Sequence, residues 1–339
     1  MHERATRGDD YARSVERALL AICLADPDGL ARASGLTADD FLDRRAALVF
    51  STGFQVNLGV ISALAGKDDV LVIDKMDHAS IIDGSRLSGA RIVRFAHADP
   101  ADLERVIREN ADTYRRGLLI TDGVFSMDGD LAPVKALLQV AEQYDALLIV
   151  DDAHGFGVLG EQGHGILEQE NIDSSRVIYI GTLGKAAGVS GAFICAQDSF
   201  IEWLIQKGRP YIYSTATPPA IAHTLLKSLE IIESNEGLKL RAHLHRLIKI
   251  WQDEMVFSKW QKVSSCTPIQ PVILGSNANA LSAAKQLDEA GYWIPAIRPP
   301  TVPLGSARLR ITFSAKHSVD DLHKLINTLN RIENDVMEK

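Results

Sequence analysis

Residues 146–155, ALLIVDDAHG, run five apolar residues straight into an acid pair, an alanine, a histidine and a glycine. A short apolar run with no polar alternation suits a strand buried on both faces, and such strands belong to parallel sheets covered by helices on each side. Outward from this stretch the pattern repeats at 70–74 (VLVID), 91–95 (RIVRF), 117–121 (GLLIT), 177–180 (VIYI) and 191–195 (GAFIC). Helical spacing of apolar residues at 101–110 and 133–144 fills the gaps between strands. The alternation predicts an α/β architecture, a mainly parallel sheet sandwiched by helices.

Past Pro218 and Pro219 the pattern changes. Long helical stretches at 220–233 and 237–257 precede a strand-like 269–274, a helical 278–290, a short 293–297, a strand-like 307–313 and a closing helix from Val319. That succession predicts a smaller α+β domain. The first residues differ again: 11–23 reads as an amphipathic helix, Thr37 suits the cap of a short helix to Asp40, and 41–50 resumes an apolar pattern. The expected division is an atypical helical segment over 1–47, a large domain over 48–222 and a small domain over 223–339.

Composition narrows the function. The 339 residues are 46% apolar and 24% charged, with 36 Lys plus Arg against 44 Asp plus Glu, a net charge of −8. An acidic balance disfavours general nucleic-acid binding but leaves room for a local basic pocket. No apolar run approaches the roughly 18 residues of a membrane span, and 18–25 is too short for a signal peptide. Cys23, Cys195 and Cys266 are far apart with no CxxC pair, so neither a disulfide framework nor a metal site is expected. A cytoplasmic protein fits these features, with no nucleic-acid or membrane partner.

Several strand ends run into polar residues. Asp151, Asp152 and His154 follow one strand, Asp122 and Ser126 another (120–126, ITDGVFS), and His78 a third (72–78, VIDKMDH). A fourth strand leads into Gly181-Thr182-Leu183-Gly184-Lys185. In open α/β sheets ligands bind at the carboxyl ends of strands. Lys185 alone would read as an exposed loop lysine; together with an acid and a histidine at a neighbouring strand end it reads as a Schiff-base lysine. An acid facing a pyridinium nitrogen completes the pattern of pyridoxal phosphate (PLP) chemistry. Two rival motifs fail on context. Residues 155–160 (GFGVLG) match a dinucleotide fingerprint, but no helical pattern follows them. Around Gly184-Lys185, Ala186 and Tyr179 stand where a P-loop needs Ser or Thr and its first glycine.

Seven ordered motifs then resemble the α-oxoamine synthase family of fold-type I PLP enzymes. They are 51–57 (STGFQVN), 77–82 (DHASII), 123–130 (GVFSMDGD), 150–157 (VDDAHGFG), 182–191 (TLGKAAGVSG), 213–219 (YSTATPP) and 296–310 (AIRPPTVPLGSARLR), and the resemblance runs from about residue 48 to the carboxyl terminus. It implies that Lys185 carries the cofactor, that Asp151 pairs with the ring nitrogen and that His78 stacks on the ring, these three being the catalytic residues. His154 and Ser126 are then expected at the ring's phenolic oxygen. Thr52, Gly53 and Phe54 are expected at the phosphate, Thr182 adds a hydroxyl, and Ser214 and Thr215 reach the phosphate of the partner subunit in a homodimer. Arg298 resembles the residue that binds the substrate carboxylate, where a bidentate guanidinium is the natural partner. Asp122 stands where the family commonly has glutamate, and Arg310 reads as a strand-edge ion-pairing residue.

The activity implied is a decarboxylative condensation of L-alanine with pimeloyl-CoA or a pimeloyl-carrier protein. Residues 296–310 resemble the branch that serves biotin biosynthesis more than its glycine-using relatives. Before Leu48 the family's usual amino-terminal arm is not visible. Residues 14–50 instead resemble the amino-terminal helical domain of replicative hexameric helicases. A chain that keeps the fold and cofactor but acts in protein interaction is therefore the alternative reading, beside a relative that uses glycine and another acyl-CoA.

Overall fold

A computed structural model of the protein describes residues 46–110 and 115–336. The helical expectations for 11–23 and 37–40, and most of the helicase-like stretch, lie outside the described residues. Residues 46–50, read with that stretch, are a strand.

The described residues form two compact units, one of 46–124 with 131–238 and the other of 125–130 with 239–336. The first unit therefore continues past residue 222. Its helix Pro219–Glu233 is tied in by Ser228 Oγ, which donates to the Ala187 carbonyl at 2.6 Å.

The first unit is built on β1 (Ala46–Phe50), β2 (Val70–Asp74), β3 (Arg91–Phe95), β4 (Gly117–Asp122), β5 (Leu147–Asp151), β6 (Val177–Thr182) and β7 (Ala192–Ala196). The sheet order is β1-β7-β6-β5-β4-β2-β3. Strands β2 to β6 are parallel where they pair, while β7 runs antiparallel to both β6 and β1. In β1 the buried Leu48 and Phe50 alternate with half-buried neighbours, a period of two that turns one side of the strand to the core.

Helices cover both faces. Gly53–Leu64, Ala79–Ser88 and Asp198–Lys207 pack on one side, and Pro100–Asn110 and Val134–Gln143 on the other. Val56, Val60 and Ile61 of the first helix meet Ile73, Ile120, Ile149 and Ile180 of the sheet. Each such fully buried side chain contributes about 1.5–3 kcal/mol relative to exposure. Thr52 caps the first helix, its Oγ1 accepting from Gln55 N–H at 3.1 Å. His78 caps the helix Ala79–Ser88, and Gly89 ends it at φ 72°, a left-handed turn.

The second unit carries an antiparallel sheet of β8 (Gln261–Lys262), β9 (Ile269–Gly275), β10 (Ala296–Ile297) and β11 (Ala307–Thr312), in the order β10-β11-β9-β8. The helix Asn277–Glu289 packs on it, and the helix Val319–Val336 packs against that helix. Buried Glu333 accepts main-chain N–H bonds from Ser258, Lys259 and Trp260 at 3.1, 2.7 and 2.8 Å, fixing the chain before β8. The segment 125–130 joins this unit because the Gly129 carbonyl accepts from Ser265 Oγ at 2.7 Å and Thr267 Oγ1 at 3.0 Å. Among the described residues no helix is long and apolar enough to cross a membrane.

Candidate active site

Adjacent parallel strands deliver their carboxyl ends to one edge of the sheet. Asp122 at the end of β4 lies opposite Asp151 at the end of β5, and Thr182 ends β6 beside them. The chain then turns out of β5 to half-buried His154 and out of β6 to exposed Lys185. Lys185 Nζ is 3.0 Å from His154 Nε2. Sequence reasoning placed these groups at two separate strand ends, and the fold brings them within hydrogen-bond distance.

Buried Asp151 is held through both carboxylate oxygens. Oδ1 accepts from Ala153 N–H at 3.1 Å, and Oδ2 accepts from Asn57 Nδ2 at 2.6 Å. Asn57 comes from the helix Gly53–Leu64, so the acid is tied to the element that begins at Thr52. Its other Nδ2 hydrogen goes to Ser80 Oγ at 2.9 Å, and Ser80 Oγ is 2.8 Å from His78 Nδ1. Asn57 and Ser80 lie within the motifs 51–57 and 77–82 but received no role from the sequence, since an Asn in an apolar helix and a Ser in a helix's first turn do not by themselves announce a partner.

A stack of carboxylates supports the exposed His78. Its main-chain N–H donates to Asp122 Oδ2 at 2.9 Å. Asp77, which the sequence offered only as the first residue of the motif 77–82, staples two strand ends together. Its Oδ1 accepts from Asp122 N–H and its Oδ2 from Asp74 N–H, both at 2.9 Å. Burial first, then the negative Asp151, pushes the Asp122 carboxyl well above the usual range, while the His78 N–H and Lys185 act against the rise. Burial, then Asp122 and Asp74, raises Asp77 in the same way.

Asp152 points away from this group. Its Oδ2 accepts from Tyr179 Oη at 2.9 Å and from Ile166 N–H at 2.7 Å, closing the loop that follows β5. Gly165, at φ 91°, belongs there because a Cβ would collide with Asp152 Oδ2 and the Tyr179 hydroxyl. Burial raises the Asp152 carboxyl from 3.8 to about 7, against the hydrogen bonds from Ile166, Tyr179 and Gly155 that favour its charged form. The folded chain thus holds this proton where the unfolded chain has released it. Stability linked to the group is full below about pH 4, declines as pH rises toward 7, and is level above that. The difference corresponds to roughly 4 kcal/mol. Asp152→Asn should therefore gain on the native chain across pH 4 to 7 in denaturant midpoints measured at several pH values. Parallel pH curves for the two proteins would refute this, since the other raised carboxyls are common to both.

The remaining expected residues divide between the units. Thr52 and Phe54 are exposed at the start of the helix Gly53–Leu64, and a Cβ on Gly53 would lie 3.6 Å from Thr182 Oγ1, so this helix start and the end of β6 are neighbours. Thr182 Oγ1 donates to the Gly191 carbonyl at 3.2 Å. In the loop before the helix Pro219–Glu233, Ser214 is half-buried and Thr215 exposed. Ser126 and Arg298 belong to the second unit, where Arg298 is exposed. Arg310, in the same unit, donates from Nε to the Ser126 carbonyl at 2.6 Å and from Nη1 to Thr312 Oγ1 at 3.2 Å. With Trp293, Phe313 and His317 it lines a cavity of about 570 Å³. Burial lowers the Arg310 guanidinium from its ordinary value. The ion pair in β11 is made instead by buried Arg308, with Asp128.

Comparison with known proteins places this arrangement. The family model for aminotransferase class I and II matches residues 25–329. The chain belongs to that family. An 8-amino-7-oxononanoate synthase from Aromatoleum aromaticum is 53% identical over 293 residues, 86% of this chain and 75% of the relative. One from Janthinobacterium sp. is 48% identical over 302 residues, covering 89% and 76%. Among solved structures, serine palmitoyltransferase from S. paucimobilis with bound PLP and myriocin matches with a TM-score of 0.83 at 27% identity, over 97% of this chain and 85% of that one. The 8-amino-7-oxononanoate synthase of Francisella tularensis matches with a TM-score of 0.74 at 31% identity, over 89% and 85%.

The family's cofactor is PLP, and the residues of the first unit suit it. The helix start at Thr52, Gly53 and Phe54 presents main-chain N–H groups without intrahelical acceptors, next to a threonine hydroxyl, which is a donor set for a phosphate. Asp151 offers a fixed carboxylate for a ring N–H, and Lys185 an amine for a carbonyl. Among the described residues no cluster of three or more metal-binding side chains forms.

Proposed function

We propose that this chain condenses L-alanine with pimeloyl-CoA, or with the pimeloyl thioester of a carrier protein, to give 8-amino-7-oxononanoate for biotin biosynthesis. The thiol and CO2 leave, so one carbon–carbon bond forms while the thioester bond and the bond to the alanine carboxylate break. The observation that supports this reading most directly is the name shared by relatives 48–53% identical over more than four-fifths of the chain. Bound PLP supplies an electron sink for negative charge developing at the alanine Cα. Lys185 Nζ takes the Cα proton, with His154 Nε2 at 3.0 Å to hold the amine in place. Asp151 keeps a proton on the ring nitrogen, so that the charge has somewhere to go. In this reading His78 would cover the ring face, and His154 and Ser126 would be the groups for its phenolic oxygen.

Arg298 binds the substrate carboxylate in this reading. Hydrogen bonds to charged groups are worth about 1.5–3 kcal/mol. Arg298→Ala should therefore raise KM for alanine roughly 10- to 100-fold with a smaller change in kcat; an unchanged KM would move the carboxylate site elsewhere. A homodimer in which Ser214 and Thr215 reach the partner's phosphate, and a cytoplasmic location suited to the free thiols Cys195 and Cys266, complete the proposal. The test is direct. Purified chain with PLP, L-alanine and pimeloyl-CoA should release free thiol and a product of the mass of 8-amino-7-oxononanoate. Release of thiol only with glycine, or with none of the acyl donors, would overturn the reading.

A further inference from the structure

Asn57 is an unusual residue for its place. It is 1% exposed, within a helix whose other buried side chains are the apolar Val56, Val60, Ile61 and Leu64, with Gly59 among them. Its Oδ1 is buried with no hydrogen-bond partner among the described residues. An apolar residue would avoid that cost, so the amide is there for its two N–H donors. Both are used: one goes to Asp151 Oδ2 at 2.6 Å, the other to Ser80 Oγ at 2.9 Å.

The direction of each bond in this chain is fixed by what the groups have to give. Asn57 Nδ2 only donates, so Ser80 Oγ accepts from it and keeps its own hydrogen to give away. That hydroxyl lies 2.8 Å from His78 Nδ1. The Ser80 main-chain N–H, which can only donate, also points at Nδ1, from 3.3 Å. Two donors converge on one ring nitrogen, so Nδ1 is an acceptor and the imidazole proton sits on Nε2. The carboxylate of Asp151 is meanwhile locked at both oxygens, by Asn57 and by Ala153 N–H.

We propose that Asn57 is a positioning residue that orders one hydrogen-bond chain from Asp151 through Ser80 to His78, holding the carboxylate plane at one end and the proton of His78 on Nε2 at the other. The inference rests on the PLP-dependent reading given above. Its consequence is that the group placed at the ring nitrogen and the group placed over the ring face are aligned by the same amide, on a helix whose first turn is the proposed phosphate site. A shift of that helix moves all three together.

Two variants and three readouts test it. Nitrogen-15 NMR of histidine-labelled holoenzyme should show His78 with a protonated Nε2 and an unprotonated Nδ1. Ser80→Ala removes the nearer of the two donors on Nδ1 and leaves only the main-chain N–H at 3.3 Å, so it should raise the share of the Nδ1-protonated tautomer at His78 above that of the native chain while the affinity for PLP stays within about threefold. Asn57→Leu, of similar volume but without donors, should weaken PLP binding and lower kcat about 10- to 100-fold, the range seen when outer-shell partners are removed from metal ligands. KM for both substrates should change less than kcat. A His78 proton on Nδ1 in the native chain would overturn the proposal, as would unchanged kcat and PLP affinity in a folded Asn57→Leu. If Asn57→Leu does not fold, the Ser80→Ala tautomer decides. If the native chain binds PLP but does not turn over alanine and pimeloyl-CoA, the substrate reading fails while the tautomer and PLP-affinity measurements still decide this one.

Discussion

Lys185→Ala should leave a folded chain that binds PLP without a covalent link and releases no measurable thiol from pimeloyl-CoA, a loss of at least about 10³-fold in kcat. The lysine belongs to an exposed turn after β6, and its neighbour Gly184 has nothing within 4 Å of where a Cβ would stand. Truncating an exposed side chain there changes stability by about 0.5 kcal/mol or less. Activity therefore falls for a chemical reason rather than through unfolding. The amine has two duties in the proposed reaction, attachment of the cofactor and removal of the Cα proton, and no nearby group can take over both. His154 Nε2, at 3.0 Å, can accept a proton but cannot form the link. Lys185→Arg is the companion variant: it keeps the charge, yet a guanidinium does not deprotonate in a protein, so it should be as inactive as the alanine variant. Borohydride treatment followed by mass measurement reads the attachment, and thiol release reads the turnover. Product formation within tenfold of the native chain would remove Lys185 from the reaction.

Much of this site was legible in the sequence because strand ends are easy to find there. Short apolar runs located β2 to β7 to within two residues at each end, and the parallel order then forces Asp122, Asp151 and Thr182 to one edge. What stayed hidden was lateral. The 2.6 Å bond from Asn57 to Asp151 joins residues far apart in the chain, and no spacing rule announces it. Asp77 looked like part of a motif around His78, whereas it spends both oxygens on main-chain N–H groups of two strand ends. Asp122 read as a shortened glutamate, and the structure shows what that carboxylate does: it carries the main-chain N–H of His78. His78 itself serves as a helix cap through the same Nδ1 that ends the Asn57 chain, so capping that helix is compatible with a place over the cofactor ring. β1 went unseen because a five-residue strand beside a helical-looking segment has too few turns of either period to distinguish them.

Asp151→Asn should bind PLP, keep the covalent attachment at Lys185 and still lose about 10²- to 10³-fold in kcat, the scale for removing one preorganised electrostatic partner. Both oxygens of the native carboxylate are acceptors, one from Ala153 N–H and one from Asn57 Nδ2. An amide at this position has only one oxygen. Whichever way it turns, an N–H2 group faces another donor, so the substitution removes a negative charge and also one of the two contacts that aim it. The charge is the larger effect. A carboxylate beside a ring nitrogen keeps that nitrogen protonated, whereas an amide does not, and the electron sink weakens accordingly. The same charge acts on its neighbour, because Asp151 is the second cause, after burial, of the raised Asp122 carboxyl. Removing it should let Asp122 ionise at lower pH, an internal check that is independent of turnover. Carbon-13 NMR of labelled aspartates reads that shift, and steady-state thiol release reads the activity. A variant whose kcat stays within threefold of the native value would show that Asp151 is a strut for the helix Gly53–Leu64 and not the partner of the cofactor ring. Loss of activity together with an unmoved Asp122 would mean that the two carboxylates do not sense each other across β4 and β5, and would break the electrostatic account of the pair.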